Sequence, residues 1–453
     1  MKANRVVFLL GLICLIIALA TGRDLFYNLT YLIAAIIVLS YLWTWASINW
    51  VQVSRYTWAK KAEVGKISEE RFVVRNTGLL PKLWLEVRDH SDLPDHQASY
   101  VINSFGARRE RGWTVRTLCR QRGRFTLGPI TLTTGDPFGL FSMRRELPQT
   151  STMIVYPATV EIATFATPTG QLPGGDALRR RTHYVTTNVR GVRDYAPGDS
   201  FNRIHWPSTA RKERLIVKEF ELDPMADVWL FLDMDRSVQA GLEWKPDLER
   251  REPALLWARR PRLELAPTTE EYGVTIAASL AKHFIIRNRA VGLVAYAQQR
   301  EVIPADRGER QLSKILEILA VIRAGGRISL AQVMAAEGMH LRRGTTAIAV
   351  TSSTDKDWVI ASRHLEQQGL RVAAVLIAPD SFTSPIPPYQ EGRARPISPY
   401  QGGREGRGME EVMAELVAGG TPTYLVREGD DIAATLSQSA WGIIERPRYI
   451  TRS

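Results

Sequence analysis

Two uncharged apolar stretches stand back to back at the N-terminus, and they constrain this chain more than any other feature. Between Arg5 and Arg23 lie 17 residues, Val6 to Gly22, dominated by Leu, Ile, Val and Ala. After Asp24 a second uncharged run extends to Ser54, with the apolar centre Leu32-Ile-Ala-Ala-Ile-Ile-Val-Leu-Ser-Tyr-Leu-Trp. A helix that crosses the hydrocarbon core needs about 20 apolar residues, with about 17 as the practical minimum, so both runs qualify, the first only just. A cleavable signal peptide instead carries an apolar region of about 7–15 residues ending at a small-residue site, of which Ala18-Leu-Ala20 is a faint version. Run length, and the second stretch directly behind the first, favour an uncleaved hairpin of two spans over residues 1–50. Lys2 and Arg5 precede the first span, Arg55, Lys60, Lys61 and Lys66 follow the second, and the connection carries only Arg23 offset by Asp24. Basic flanks stay on the cytoplasmic side, which places both termini and the soluble domains in the cytoplasm and the hairpin in the inner membrane. Trp43, Trp45 and Trp50 fall where an interfacial aromatic belt would lie. Neither span carries a charge, so the pattern is that of an anchor and not of a transport path.

The rest of the chain is globular in composition: of 453 residues, 45% are apolar and 23% charged, which excludes wholesale disorder. Two cysteines, Cys14 and Cys119, exclude a disulfide scaffold. Lys and Arg number 59 against 47 Asp and Glu, a net +12 that favours acidic partners such as anionic lipid. From residue 51 to about 160, short alternating runs (Arg71-Phe-Val-Val-Arg-Asn, Leu83-Trp-Leu-Glu-Val-Arg, Gly123-Arg-Phe-Thr-Leu) are punctuated by Gly78, Pro81, Gly128-Pro129 and Gly135-Asp136-Pro137. Such spacing predicts a small antiparallel sandwich or barrel. Arg108, Arg109, Arg111, Arg116, Arg120, Arg122 and Arg124 make one part strongly basic, and the last three, at period two, are expected on one solvated face of a strand near anionic lipid. Aromatic residues do not interleave with them on that face, which argues against nucleic acid.

Residues 161–225 form a basic connecting segment; Leu178 to Lys218 alone carries ten Lys or Arg against three acidic residues. Within it lies Gly191-Val-Arg-Asp-Tyr-Ala-Pro-Gly-Asp-Ser-Phe-Asn-Arg-Ile-His-Trp-Pro-Ser-Thr-Ala-Arg. Asp199 is placed to cap a short helix after the Pro197-Gly198 turn, and Pro207 is expected to stop it. His205 reads as a structural, hydrogen-bonding histidine. These residues resemble the bacterial domain of unknown function 58 family, whose signature runs G-x-R-x-Y-x-x-G-D, R-x-I-x-W, A-R. Gly191, Arg193, Tyr195, Gly198, Asp199, Arg203, Ile204, Trp206, Ala210 and Arg211 fill those places, although Arg203 and Ile204 are adjacent where the pattern has a residue between them. The layout before the signature is similar too, including Arg122-Gly123, Asp136-Pro137-Phe138-Gly139-Leu140 and Val155-Tyr156-Pro157. The resemblance implies a von Willebrand factor A-like domain after the signature and a working relationship with MoxR-type AAA+ ATPases. It implies no settled biochemical activity.

Residues 226–453 alternate strand and helix by pattern alone. Strands are expected at Val228–Leu232, Val291–Tyr296, Thr345–Val350, Val372–Ile377 and Thr423–Val426. Helices are expected from a Thr268/Glu271 capping box to Arg287, and at Arg310–Arg323, Asp357–Gln368, Met409–Val417 and Asp431–Ile444. Ligands of such sheets bind beyond the carboxyl ends of the strands, and there stand Asp233, Asp235 and Ser237. Two carboxylates and a hydroxyl at this spacing suit a hard cation such as Mg²⁺. The von Willebrand A-like metal motif has serine where this chain has Asp235, threonine where Arg327 follows Gly325-Gly326, and a later aspartate where Asp355 is displaced. Asp233-x-Asp235 after four apolar residues also resembles the nucleophile and acid/base pair of haloacid-dehalogenase-type phosphatases, with Thr351 and Asp430-Asp431 in the matching order but no lysine ahead of the latter. Residues 239–267 and 381–408, the second rich in Pro, Gly and Arg, read as insertions. The expectation is therefore a membrane-anchored, non-enzymatic adaptor made of a hairpin, a β-domain and an α/β domain. Its signature either braces the two domains or docks a partner, and the phosphatase is the alternative.

Overall fold

A computed structural model describes residues 3–166, 189–195, 204–220, 227–241, 265–382 and 407–438. Helix α1 (Ala3–Thr21) and helix α2 (Asp24–Asn49) pack along each other as a hairpin. Gly11 lets them approach, since a Cβ there would stand 3.1 Å from Ile33. Of the two expected spans, α2 is long and apolar enough to cross a membrane, and α1 is a shorter apolar helix.

Helix α2 runs almost directly into β1 (Val51–Thr57), the first of ten strands: β2 (Lys61–Glu63), β3 (Ile67–Asn76), β4 (Lys82–Asp89), β5 (Tyr100–Phe105), β6 (Glu110–Leu118), β7 (Gly123–Leu127), β8 (Ile130–Gly135), β9 (Ser142–Leu147) and β10 (Ser151–Tyr156). They form sheets in the orders β1-β3-β6, β5-β4-β8-β9 and β2-β10-β7. All pairs are antiparallel except β2 with β10. The first two sheets face each other across Phe72, Val74, Leu85, Val87, Ile102 and Leu132, one apolar face from each alternating strand. Inside this sandwich Arg55 reaches Glu70 (2.7 Å) and Asp89 (3.1 Å), with His96 beside them. Burial by itself would raise the Asp89 pKa, but hydrogen bonds from His96 and Ser91 and the Arg55 charge hold it below the usual carboxylate range. The domain grips the end of α2 through Lys82, a fully buried lysine whose Nζ donates to Ala46 O at 2.9 Å. A cation suits the carbonyl end of a helix, and burial lowers its pKa to about 8.

Strand β11 (Val189–Asp194) and strand β12 (Ile216–Phe220) form an antiparallel ribbon, with helix α3 (Trp206–Lys212) between them in sequence. Pro207 lies in the first turn of α3 and so starts a helix, which corrects the expectation that it ends one. Its missing N–H is one that no helix start can satisfy within the helix anyway.

The α/β domain follows with β13 (Val228–Leu232), α4 (Thr269–Ile286), β14 (Val291–Tyr296), β15 (Arg300–Asp306), α5 (Glu309–Val321), α6 (Leu330–Gly338), β16 (Thr346–Thr351), α7 (Asp357–Gln367), β17 (Arg371–Ile377), α8 (Arg407–Ala418), β18 (Thr423–Val426) and α9 (Ile432–Ser437). Its sheet has the order β15-β14-β13-β16-β17-β18, parallel except for β15 at one edge. Leu230 and Leu232 face a core shared with α4, α5 and α9, while Phe231 faces one shared with α6, α7 and α8. Burial on both faces is why these strands read as continuous apolar runs. Strand β15 and helix α6 were not expected; Pro304 inside β15 is tolerated because the strand lies at the sheet edge. The expected extension of α9 to Ile444 lies outside the described residues.

Three connections hold the β-domain to the α/β domain. Lys61 pairs with Glu317 at 2.6 Å, and Tyr156 also donates to Glu317. The strap after β10 crosses α4, with Val160 N donating to Ser279 Oγ and Ile162 O contacting His283 Nδ1 at 2.8 Å. The third is Arg122, whose side chain is wholly buried. Its Nη2 donates to Glu270 Oε1 (2.6 Å) and to Ile322 O (2.7 Å), and Nη1 stands 2.5 Å from Glu271 Oε1. This corrects the sequence expectation of a solvated arginine face: Arg120 and Arg122 precede β7 and only Arg124 lies in it, so strand periodicity does not apply to all three. Arg120 pairs with Asp95, and Arg122 is interdomain. Truncating a buried ion-pair partner leaves charge without compensation, at a cost of about 3–5 kcal/mol. Arg122→Ala is therefore expected to lower thermal stability by that order and to split the unfolding of the β- and α/β domains into separate calorimetric transitions. Arg122→Lys does not restore it, because one ammonium cannot reproduce the guanidinium fork.

Candidate functional site

In a sheet of this order the chain leaves β13 in one direction for β14 and later returns on its other side with β16, so the topological switch point lies between β13 and β16. Asp233 follows the carboxyl end of β13, and Thr351 closes β16 beside it. The Thr351 hydroxyl donates to Asp233 Oδ2 at 2.6 Å, and Asp235 N donates to Asp233 Oδ1 at 3.1 Å. Burial pushes the Asp233 pKa up to about 6, with the Asp235 charge adding to the rise and the two hydrogen bonds opposing it. Asp235 Oδ1 accepts from Ser237 N (2.9 Å) at the start of a single 3-10 turn, Arg236–Val238. The Asp233–Ser237 loop is thus closed by its own backbone.

Neighbouring segments fasten it further. Gln239 Nε2 donates to Asp233 O, and the Gln239 side-chain oxygen accepts from Thr269 at the start of α4. Ser352 Oγ donates to Val238 O. On the other side Gly326 N donates to Met234 O and Gly326 O accepts from Arg236 N, both at 3.0 Å. A Cβ at Gly326 would come within 2.2 Å of Tyr296 O and 2.8 Å of Met234 O, so only glycine permits this approach. The expected glycine pair therefore does reach the strand end, while Arg327 after it is exposed. Gln239 and Thr269 carried no sequence signal, since their roles depend on where α4 begins in space.

These residues do not fit a divalent cation. A hard cation takes six or more oxygens, whereas both Asp233 oxygens are already engaged by hydrogen bonds from the chain. Among the described residues no three His, Cys, Asp or Glu side chains gather as a ligand set. The phosphatase pattern fares no better: Asp431 caps α9 by accepting from Ala433 N and Ala434 N, and Asp430 accepts from Arg427 N. A cleft of about 610 Å³ opens nearby between the domains, lined by Arg120, Gln121, Arg236, Gln239, Glu270 and Arg323 among others, but neither Asp233 nor Asp235 lines it.

The signature residues form a separate place. Gly191 and Arg193 lie in β11, and Tyr195 directly after it donates its N–H to Leu215 O. Ile204 is buried and bridges to Val217. His205 is the cap of α3: its Nδ1 accepts from Ser208 N and lies 2.7 Å from Ser208 Oγ, the structural use expected for it. Trp206, Ala210 and Arg211 fall on α3, with Trp206 64% exposed. Gly198, Asp199 and Arg203 lie outside the described residues. Asp233, Asp235 and Ser237 share one loop, and the ribbon is an element apart from it.

Residues 191–254 match the family described as Protein of unknown function DUF58. Uncharacterized protein YeaD of Bacillus subtilis (strain 168) is 24% identical over 259 residues, 57% of this chain and 56% of the relative, so the match spans little more than half of either protein. Among solved structures, the CARDB domain of the PF1109 protein from Pyrococcus furiosus is 20% identical and covers 23% of this chain and 91% of that one, at a TM-score of 0.18. A FixG-related protein from Vibrio parahaemolyticus is 10% identical and covers 24% of this chain and 97% of that one, at a TM-score of 0.16. The signature residues Gly191 to Arg211 fall inside the segment that is similar to the DUF58 family.

Proposed function

We propose that this protein is a membrane-anchored, non-enzymatic adaptor, whose hairpin crosses the inner membrane twice with both ends cytoplasmic, and whose β11–α3–β12 ribbon docks a MoxR-type AAA+ ATPase. The observation that carries the reading is Trp206. A large aromatic residue inside a family signature, exposed on a short helix, is what a protein interface uses as an anchor. The sheet order β15-β14-β13-β16-β17-β18 with its antiparallel edge supports a von Willebrand A-like docking domain. The ATPase itself comes from the family resemblance. Trp206→Ala is expected to weaken binding of the purified ATPase to the full-length protein by about 30-fold, the effect of losing an interface anchor worth about 2 kcal/mol. Its melting temperature should stay unchanged, as expected for an exposed position. Equal binding by wild type and variant in an interferometry titration would overturn the docking role.

On this reading Asp233 is structural. Its folded pKa near 6 lies above the unfolded value of about 3.9, so the folded chain holds the extra proton between them. The associated stability is complete below about pH 4 and is lost as pH rises through about 6, a difference of about 3 kcal/mol at most. Asp233→Asn cannot ionise, so its stability relative to wild type should improve by about 2–3 kcal/mol between pH 4 and pH 7, followed by thermal unfolding across that range. Turnover of any phosphomonoester that disappears in Asp233→Asn would instead support the phosphatase.

A further inference from the structure

We infer that the β-domain is seated on the bilayer by its own turns, with Phe138 and Leu79 inserted into the lipid interface and an arginine rim on anionic headgroups; this rests on the reading of α2 as a membrane span.

The strand register gathers three turns at the end of the sandwich where α2 enters. Val51 of β1 pairs with Asn76, Lys82 pairs with Phe105, and Arg75 pairs with Glu110, so the β3–β4 and β5–β6 turns share that end. The β8–β9 turn joins them, because β8 runs antiparallel to β4 and finishes at Gly135 beside the Trp84 ring. Each turn is held in place. Asn76, wholly buried, accepts from Gly78 N and donates to Leu80 O and Gly106 O, tying two of the turns together. Gly78 lies flat on Trp50, where a Cβ would come 2.5 Å from the ring. Buried Asp136 accepts from Phe138 N (2.9 Å) and Phe141 N (2.6 Å) and so fixes the β8–β9 turn. From these turns Leu79 and Phe138 stand 69% and 64% exposed.

Depth supplies the second argument. The Phe141 ring packs edge-on against Tyr41 of α2 and Phe8 of α1, at 5.7 and 6.3 Å between centroids. Tyr41 precedes the end of α2 at Asn49 by eight residues, about 12 Å along the helix. The headgroup layer is only about 5–8 Å deep on each side of the hydrocarbon core. With α2 centred in a bilayer, the β8–β9 turn therefore reaches the hydrocarbon boundary, and Phe138 at its tip is in lipid. Arg108 and Arg109 on the neighbouring turn and Arg145 on β9, whose Nη1 donates to Asn49 O, are exposed around this end, with the exposed carboxylates Glu110 and Glu146 next to Arg109 and Arg145 in sequence. Each basic residue at such a surface adds attraction for anionic lipid. The charge and the continuity with the hairpin select a bilayer over a protein partner.

The test is spin-label depth measurement on the full-length protein in bilayers of phosphatidylcholine and phosphatidylglycerol. Cys14→Ala and Cys119→Ala provide the background for single labels at Phe138→Cys, Leu79→Cys, Leu39→Cys on α2 and Ile360→Cys on α7. The labels at 138 and 79 are expected to show a ratio of oxygen to nickel-chelate accessibility between those of Leu39 and Ile360, and deeper in the anionic mixture than in phosphatidylcholine alone. If Leu39 reports lipid while 138 and 79 match the water-exposed Ile360, the seating is wrong and the anchor stands. A label at 138 shielded from both reagents marks a protein contact and also overturns it. Water exposure at Leu39 itself overturns the anchor and the seating together.

Discussion

Arg122 is the interaction on which the arrangement of this molecule depends. One guanidinium leaves the β-domain just before β7 and meets Glu270 and Glu271 in the first turn of α4, with the carbonyl of Ile322 as a third acceptor. Acidic residues at a helix start already suit the partial positive charge there, so the pair is stabilised from two sides. Arg323 adds a second guanidinium to the same carboxylates and donates to Arg122 O. Because Arg122 is fully buried, its worth lies less in net stability than in specificity, since any other docking of the two domains strands a charge away from water. An arginine outside the Gly191–Arg211 signature thus braces the two domains.

With that face occupied, the carboxyl edge of the α/β sheet is used differently from that of a ligand-binding doubly wound domain. The switch point between β13 and β16 is where such sheets take their ligands, yet here Asp233 turns inward to Thr351 and the loop beyond it is fastened to α4, Val238 and Gly326. Both Asp233 oxygens accept hydrogen bonds from the chain, and that is the use the packing makes of this carboxylate. The chemistry-bearing residue types are present, and the packing directs them to holding the loop. A short motif on a common fold is weak evidence of activity for this reason.

How much of this was legible in the sequence divides along the range of the interactions. The α/β strands from Val228 to Val426 and the Thr268 cap were readable, since burial on both faces leaves runs of apolar residues and a cap is a local hydrogen bond. Even there, half of the capping box went elsewhere: Thr268 accepts from Glu271 N as expected, but the Glu271 carboxylate turns to Arg122 and Arg323. What was not legible depended on contacts distant in sequence. Arg122 looked like one of seven arginines in a basic run and differs from them only because α4 meets it, 148 residues later in sequence. Likewise the Arg55–Glu70–Asp89 cluster inside the sandwich has no local pattern. A residue before proline avoids the helical region, which predicts a stop at Pro207, but proline also suits the first turn of a helix, and that preference governs α3.

The two ends of the β-domain then set where the α/β domain can work. Its hairpin end carries the three turns around α2, and the face that holds Lys61, Arg122 and Tyr156 meets the α/β domain. The longest strand between them, β3, has ten residues, about 33 Å at the usual rise. A spacer of that length, fixed at one end by Lys82 on the last turn of α2 and at the other by Arg122 on the first turn of α4, transmits the orientation of the helix hairpin to the sheet without a flexible joint. Both attachments place a buried cation on a helix terminus or its carboxylates, and both lose their partner if the domain rotates.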